Sequence, residues 1–228
     1  MKKIITTLVL MICFFAGFAQ KDVTTFLGLP VDGYVPEMRK NLISKGFKSV
    51  KVLDQEYFEG EFNGTNVRIY IVTNNNKVYR IMLCDETPRN EANIKIRFNR
   101  LVSQFENNKR YVALDNYKID DDVDISYEMK VNNKRFDAIF YQVPDPEKID
   151  TLALQERMRS ELLKKYSEEQ LQNPTEEMTN DVQEIIYRLG IEAITNKPVW
   201  FTISEDYGDY SITMYYDNEY NHSNGEDL

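Results

Sequence analysis

Apolar and polar residues alternate along the stretch 56–84 in a pattern that predicts three consecutive β-strands. Between residues 67 and 73, apolar side chains recur at every second position, which is the period of a strand with one buried face. Asparagine-rich turns at 63–66 and 74–76 separate the runs, and Asn63-Gly64 accepts positive φ at both central positions of a tight turn. With a further strand at 47–53, the pattern predicts a four-stranded antiparallel meander.

Amphipathic helices are predicted on both sides of this meander, at about 35–45 and 91–107. Pro36 suits the first turn of the first helix, and Gly46 suits the position just past its end. The second helix carries an apolar stripe with helical spacing, formed by Ile94, Phe98, Leu101, Val102 and Phe105. Such helices can cover the apolar face of a sheet.

Further strands are predicted in the second half of the chain, at 111–114, 124–131, 136–143, 199–204 and 210–217. The segment 124–131 alternates strictly between polar and apolar residues, and Asn132-Asn133 is expected to turn it into a hairpin with the next strand. The last two strands are expected to form a closing hairpin around a turn at 205–209.

Two more helices are predicted between these strands, at 151–166 and 175–189. Ser167 and Gln170 fit a capping box, Asn173-Pro174 is a break, and Gly190 is expected to end the second helix. Because strands are grouped apart from helices, the fold class is α+β with an antiparallel sheet of helix-plus-four-strand meanders. The two halves suggest a loose repeat, with the helical pair inserted in the second.

The first nineteen residues predict a secretory signal peptide. Lys2 and Lys3 precede an apolar run at 4–15, and the small residues Gly17 and Ala19 occupy the −3 and −1 positions of a cleavage site. An uncleaved anchor is the alternative, but this run is shorter than the roughly 20 apolar residues that a membrane-spanning helix needs. No second run approaches that length, so we expect no transmembrane segment in the mature chain and a periplasmic or secreted location.

The predicted organisation has four parts, which are a signal peptide at 1–19, a first module at 20–90, a second module at 91–220 and a polar tail at 221–228. The helical insertion of the second module covers about 150–190. Cleavage after Ala19 leaves 228 − 19 = 209 residues and, without two lysines, a net charge of −9 − 2 = −11. A chain this acidic does not attract nucleic acid phosphates.

Residue usage makes several chemistries improbable. Cys13 belongs to the signal peptide, so Cys84 has no partner for an internal disulfide, and we interpret it as a small buried hydrophobe. The single histidine, His222, lies in the polar tail, and the glycines form no phosphate-binding loop. Asp120, Asp122 and Asp124 have the alternate spacing of a calcium-binding loop. Ile125 stands where that loop needs glycine, and Val131 stands where it needs a bidentate glutamate. We predict no cofactor and no metal.

Carboxylates leave one enzymatic alternative open. A carboxylate-dependent hydrolase such as a glycosidase needs two carboxylates at a fixed separation. The candidates are Glu59 with Glu61, and a pair drawn from Glu205, Asp206 and Asp209. Nothing in the sequence distinguishes either pair from the other acidic residues, which number 37 in total. The leading interpretation is therefore a protein without catalytic activity.

Aromatic residues are the stronger signal, because the chain contains fifteen tyrosines. Strand alternation places Trp200 and Tyr215 on the face opposite to the apolar residues of the closing hairpin. Together with Tyr207 and Tyr141 they form a candidate patch for a protein or glycan partner. The alternatives are cross-strand packing without a ligand and a purely structural role in the cell envelope.

Several features together resemble uncharacterised exported proteins of the Bacteroidetes. They are the short Lys-Lys signal ending in Phe-Ala-Gln, the segment 26–33, the Asn-Gly hairpin and the polar ending 216–228. This resemblance implies no activity and transfers no functional residue. The helix-plus-four-strand unit is also similar in topology to β-lactamase-inhibitor-protein-like modules, which implies a fold and not a function.

Overall fold

The computed structural model describes residues 22–172 and 175–223. The predicted signal peptide, the Asn173-Pro174 break and the last five residues of the predicted tail lie outside the described residues. The described chain folds into helices, an eight-stranded antiparallel sheet and a separate two-stranded sheet, which confirms the α+β class. Within these residues, no helix combines the length and the apolar character needed to cross a bilayer.

The small sheet contains β1 (Thr25–Phe26) and β2 (Leu29–Pro30). The strands of the large sheet are β3 (Lys48–Val52), β4 (Gln55–Phe62), β5 (Thr65–Asn74), β6 (Lys77–Asp85), β7 (Tyr111–Ala113), β8 (Asp137–Gln142), β9 (Pro198–Asp206) and β10 (Asp209–Asp217). The α-helices are α1 (Val35–Ser44), α2 (Glu91–Glu106), α3 (Ile125–Val131), α4 (Thr151–Leu162), α5 (Glu168–Gln172) and α6 (Glu176–Thr195).

The large sheet is built from two meanders that meet in its middle. Its strand order is β3-β4-β5-β6-β10-β9-β8-β7, so each half of the chain contributes four neighbouring strands. The two halves join where β6 pairs with β10. Helix α1 precedes the first meander and α2 precedes the second, while α4, α5 and α6 fall between β8 and β9. The predicted helix-plus-meander topology is confirmed, and the described part of the insertion contains three α-helices where a pair was predicted.

Tight turns determine the register of the first meander and of the closing hairpin. Asn63 and Gly64 both have positive φ, and so do Asn75 and Asn76 at the next turn. The closing hairpin turns in the same way through Tyr207, which is followed by a glycine of positive φ. Positive φ at both central residues matches the twist of the flanking strands.

The described chain divides into two compact units. The helical unit includes residues 144–172 and 175–194, and its buried apolar side chains are Leu162, Met178 and Leu189. Within it, Ser167 and Gln170 form the predicted capping box, because each backbone N–H donates to the other side chain.

The sheet unit, residues 23–143 and 195–223, contains the main hydrophobic core. Its helices cover one side of the large sheet, which we call the inner face. The α2 stripe is buried as predicted, and the rings of Phe98 and Phe201 lie 5.0 Å apart while those of Phe105 and Phe140 lie 4.8 Å apart. Burial of this apolar area is the dominant stabilising term.

The prediction of a strand at 124–131 is wrong, because Ile125–Val131 forms the helix α3. The Asp124 carboxylate caps this helix by accepting a hydrogen bond of 2.7 Å from the backbone N–H of Tyr127. Ile125 and Met129, four residues apart, both pack toward the core. Strand β8 consequently pairs with β7 and β9 and not with this segment.

The prediction that Gly190 ends the last helix is also wrong, since α6 continues to Thr195. Glycine within a helix costs only about 1 kcal/mol relative to alanine, which the rest of a 20-residue helix can offset. Gly190 therefore marks a tolerated weak position and not a boundary.

Two glycines should respond oppositely to replacement by alanine. A Cβ at Gly60 would overlap the ring of Phe47, so we expect Gly60→Ala to lower the free energy of unfolding by about 1–3 kcal/mol. A Cβ at Gly190 meets no atom within 4 Å, so Gly190→Ala should stabilise α6 by up to about 1 kcal/mol. Urea unfolding followed by circular dichroism measures both, and a stabilised Gly60→Ala variant would contradict the packing described.

Candidate functional site

The face of the large sheet opposite to the inner face carries a continuous line of large side chains, which we call the outer row. The row contains Tyr57, Tyr70, Met82, Tyr215, Trp200 and Ile139, each from a different strand. All six side chains are partly exposed. Five strand spacings of about 4.8 Å give the row a length of about 24 Å.

Register explains why these residues meet. Met82 lies opposite Tyr70 on one side and Tyr215 on the other, and Tyr215 lies opposite Trp200. Ile139 continues the line on β8, while the rings of Tyr57 and Tyr70 lie 5.8 Å apart. Cross-strand neighbours of this kind stabilise the sheet and also produce a continuous surface.

Two of the four aromatic residues predicted for a binding patch stack on each other. The rings of Trp200 and Tyr215 are nearly parallel, at 19°, with centroids 4.0 Å apart. Arg80 lies over the Tyr215 ring. Its guanidinium carbon is 4.7 Å from the centroid of the Tyr215 ring and 5.6 Å from the centroid of the Trp200 ring. The three side chains form one cation–π assembly.

A buried carboxylate orients this assembly. Asp217 is 3% exposed and accepts two hydrogen bonds from Arg80, at 2.6 Å from Nε and 2.7 Å from Nη2. The indole N–H of Trp200 donates to the same carboxylate at 2.9 Å. Because both partners are held by one buried group, the ring positions are fixed before any ligand binds.

The other two predicted residues lie elsewhere. Tyr141 is on the same face of the sheet, but its cross-strand partner is Pro198. Tyr207 is fully exposed at the tip of the β9–β10 hairpin, seven residues from Trp200 and therefore about 20 Å along the strand. The structure thus assembles Trp200 and Tyr215 and leaves Tyr207 apart from them.

Sequence reasoning missed most of the outer row. Tyr70 was recognisable as a residue that alternates with the apolar positions of β5, but its neighbour Met82 depends on a register shift between Val72 and Thr73. The contact of Met82 with Tyr215 requires the pairing of β6 with β10, which joins residues more than 130 positions apart. No local pattern reports such a pairing.

Burial also affects the ionisation of groups on this face. It raises the pKa of Tyr70 and of Tyr215, so both phenols are neutral hydrogen-bonding groups near neutral pH. Cys84, the free cysteine of the described residues, is partly buried beside Thr213, and burial raises the pKa of its thiol. The thiol is a poor nucleophile there.

Among the candidate acid residues, Glu205 is engaged in structural contacts. Glu205 accepts a hydrogen bond from the backbone N–H of Gly208, and this bond together with Lys130 lowers the pKa of Glu205, which is opposite to the shift of a general acid. Glu59 lies between Lys48 and Arg68 in the sheet register. Within the described residues, no group of three or more His, Cys, Asp or Glu side chains is placed to hold a metal ion.

Comparisons with models of protein families, with curated proteins and with solved structures found no match. The resemblance to exported Bacteroidetes proteins and the analogy with β-lactamase-inhibitor-protein-like modules therefore stay predictions.

Proposed function

We propose that this chain is an exported, non-enzymatic binding module that recognises a protein through the outer row. The observation that carries the proposal is the line of six large, partly exposed side chains across six strands. Aromatic residues, methionine and arginine are enriched at protein interfaces and at their energetic hot spots. Trp200 and the adjacent Arg80, which Asp217 holds in place, lose little conformational freedom on binding.

The geometry favours a protein over a glycan. A sugar ring that stacks on an aromatic side chain needs a free ring face, but Trp200 and Tyr215 cover one another and Arg80 lies over Tyr215. What the assembly offers is a long, nearly continuous surface of mixed apolar and polar character. Such a surface is suited to another folded protein.

The predicted signal peptide supports the proposal of export, and export sets the compartment in which the partner is sought. The low cysteine content agrees with a domain stabilised by its core and not by disulfides. We accordingly propose a partner in the cell envelope or outside the cell, with no role for nucleic acid.

Site-specific photocrosslinking tests the proposed surface. Purified protein with Tyr70→p-benzoylphenylalanine, incubated with the envelope fraction of the source cells, should give a protease-sensitive crosslinked species. The matched variant Tyr207→p-benzoylphenylalanine, at the exposed hairpin tip, should not. Once captured, the partner should bind Trp200→Ala and Tyr215→Ala at least about tenfold more weakly, since hot-spot side chains contribute about 2 kcal/mol or more.

Other outcomes would replace the proposal. A protease-resistant, periodate-sensitive crosslink would identify a glycan, and equal crosslinking from positions 70 and 207 would show that the outer row is not the binding surface. No crosslink from either position would favour a structural envelope role. Turnover in a screen of glycan and peptide substrates would favour the hydrolase alternative.

A further inference from the structure

A second feature of the sheet unit lies away from the outer row. It is a cavity of about 310 Å³ beside the C-terminal end of α2, at the small end of the range of about 300–1,000 Å³ that is usual for ligand pockets. Two hairpin tips border it, one through Leu27 and the other through Asn63, and both residues have positive φ. Because these turns are held by their own hairpins, the rim of the cavity is preformed.

The wall of the cavity combines apolar and polar groups. Leu27, Phe62 and Phe105 provide apolar surface. The polar lining residues are Thr25, Asn63, Gln104, Asn108, Arg110, Tyr111 and Tyr216. None of the residues that line it is acidic, although the whole chain has 37 acidic residues and a net charge of −9. The single formal charge at this site is the guanidinium of Arg110.

Arg110 is available to a ligand. Its Nη2 atom lies 3.5 Å from the hydroxyl oxygen of Thr25, which is a long and weak hydrogen bond. Other arginines of the sheet unit, such as Arg80 and Arg89, form ion pairs with carboxylates. Among the described residues, Arg110 forms no ion pair. A guanidinium recognises a carboxylate with two parallel hydrogen bonds.

A buried network supplies a second donor next to Arg110. The side chain of Gln142, 3% exposed, donates to the hydroxyl oxygen of Tyr111 at 3.2 Å and also binds the backbone of Thr25. Burial raises the pKa of Tyr216, a neighbouring residue of the cavity wall, well above its usual range, so its hydroxyl stays protonated. Because Gln142 donates to the Tyr111 oxygen, the Tyr111 hydroxyl can donate its own proton to an acceptor in the cavity.

We propose that this cavity binds a small organic carboxylate, whose anionic end meets Arg110 and the hydroxyl of Tyr111 while its apolar body contacts Phe62 and Phe105. The site is independent of the outer row and of the protein partner proposed there. A carboxylate suits the planar guanidinium of Arg110, and the small volume restricts the body to about the size of one aromatic ring.

Phenylacetate and its neutral isostere phenylacetamide test this assignment. In ¹H–¹⁵N NMR titrations of the purified protein, phenylacetate should shift the signals of cavity residues saturably, with a Kd of about 1 mM or lower, and bind about tenfold more tightly than the amide. Arg110→Gln should reduce the difference between acid and amide to less than about twofold. Gln104→Glu should also reduce the difference between acid and amide, because it adds a carboxylate to the wall that repels the anionic ligand.

The control is Lys109→Gln, which removes an equal charge from the neighbouring residue outside the cavity and should keep the preference for the acid. Equal binding of acid and amide to the native protein would overturn the proposal, and so would a preference that survives Arg110→Gln. Absence of saturable shifts at cavity residues with about 10 mM phenylacetate, about ten times the expected Kd, would overturn it as well.

Discussion

Replacement of Phe26 by alanine is expected to lower the free energy of unfolding by about 3–5 kcal/mol. Phe26 is fully buried, and its ring contacts Phe47, Phe62 and Tyr216, with centroids 6.2, 5.5 and 5.0 Å away. Phe47 lies between α1 and β3, Phe62 is on β4 and Tyr216 is on β10. The side chain of Phe26 therefore links the first segment of the fold to both meanders. Its removal leaves a cavity lined by aromatic rings that cannot collapse together.

The adjacent residue provides the control for this experiment. Leu27 is 43% exposed, so Leu27→Ala should change the free energy of unfolding by less than about 1 kcal/mol. Trp200 is the only tryptophan, and its fluorescence during guanidinium unfolding reports on the sheet. Similar midpoints for Phe26→Ala and Leu27→Ala would show that the first hairpin is not part of the cooperative core.

Asp217→Ala is the second change with a large expected effect, a loss of about 3–5 kcal/mol in the free energy of unfolding. The substitution removes the acceptor of two Arg80 hydrogen bonds and of the Trp200 indole N–H. Arg80 is then left partly buried without its counter-charge, and the N–H of Trp200 loses its partner. The variant should also disorder the Trp200–Tyr215 stack, which a change in tryptophan fluorescence of the folded protein would detect.

An exposed ion pair of the same unit gives the matched comparison. Lys118 and Glu106 lie 2.8 Å apart with side chains 47% and 32% exposed, so Lys118→Ala should cost less than about 1 kcal/mol. If Asp217→Ala proved equally mild, the carboxylate would not be the group that orients the outer row. The proposed function would then lose its support from a preorganised binding surface.

Local signals in the sequence were sufficient for most secondary structure. Alternation with a period of two, interrupted by Asn63-Gly64, predicted β4 and β5 with boundaries close to those observed. The spacing of apolar residues predicted α2 in the same way. Local signals failed at 124–131, where a segment of alternating pattern also has an aspartate that can cap a helix and two core residues four positions apart. Packing against the core decided between the two.

The sequence by itself determined most elements of this protein, their order and the α+β class, because turn chemistry and hydrophobic periodicity act between neighbours in the chain. Strand alternation placed Trp200 and Tyr215 on one face, but tertiary structure decided the rest of the candidate sites. Tyr70 and Trp200 share a surface only because β6 pairs with β10, and Arg80 meets Asp217 through the same pairing. Pairings between distant strands depend on the whole core that forms around them, and no short stretch of residues encodes them.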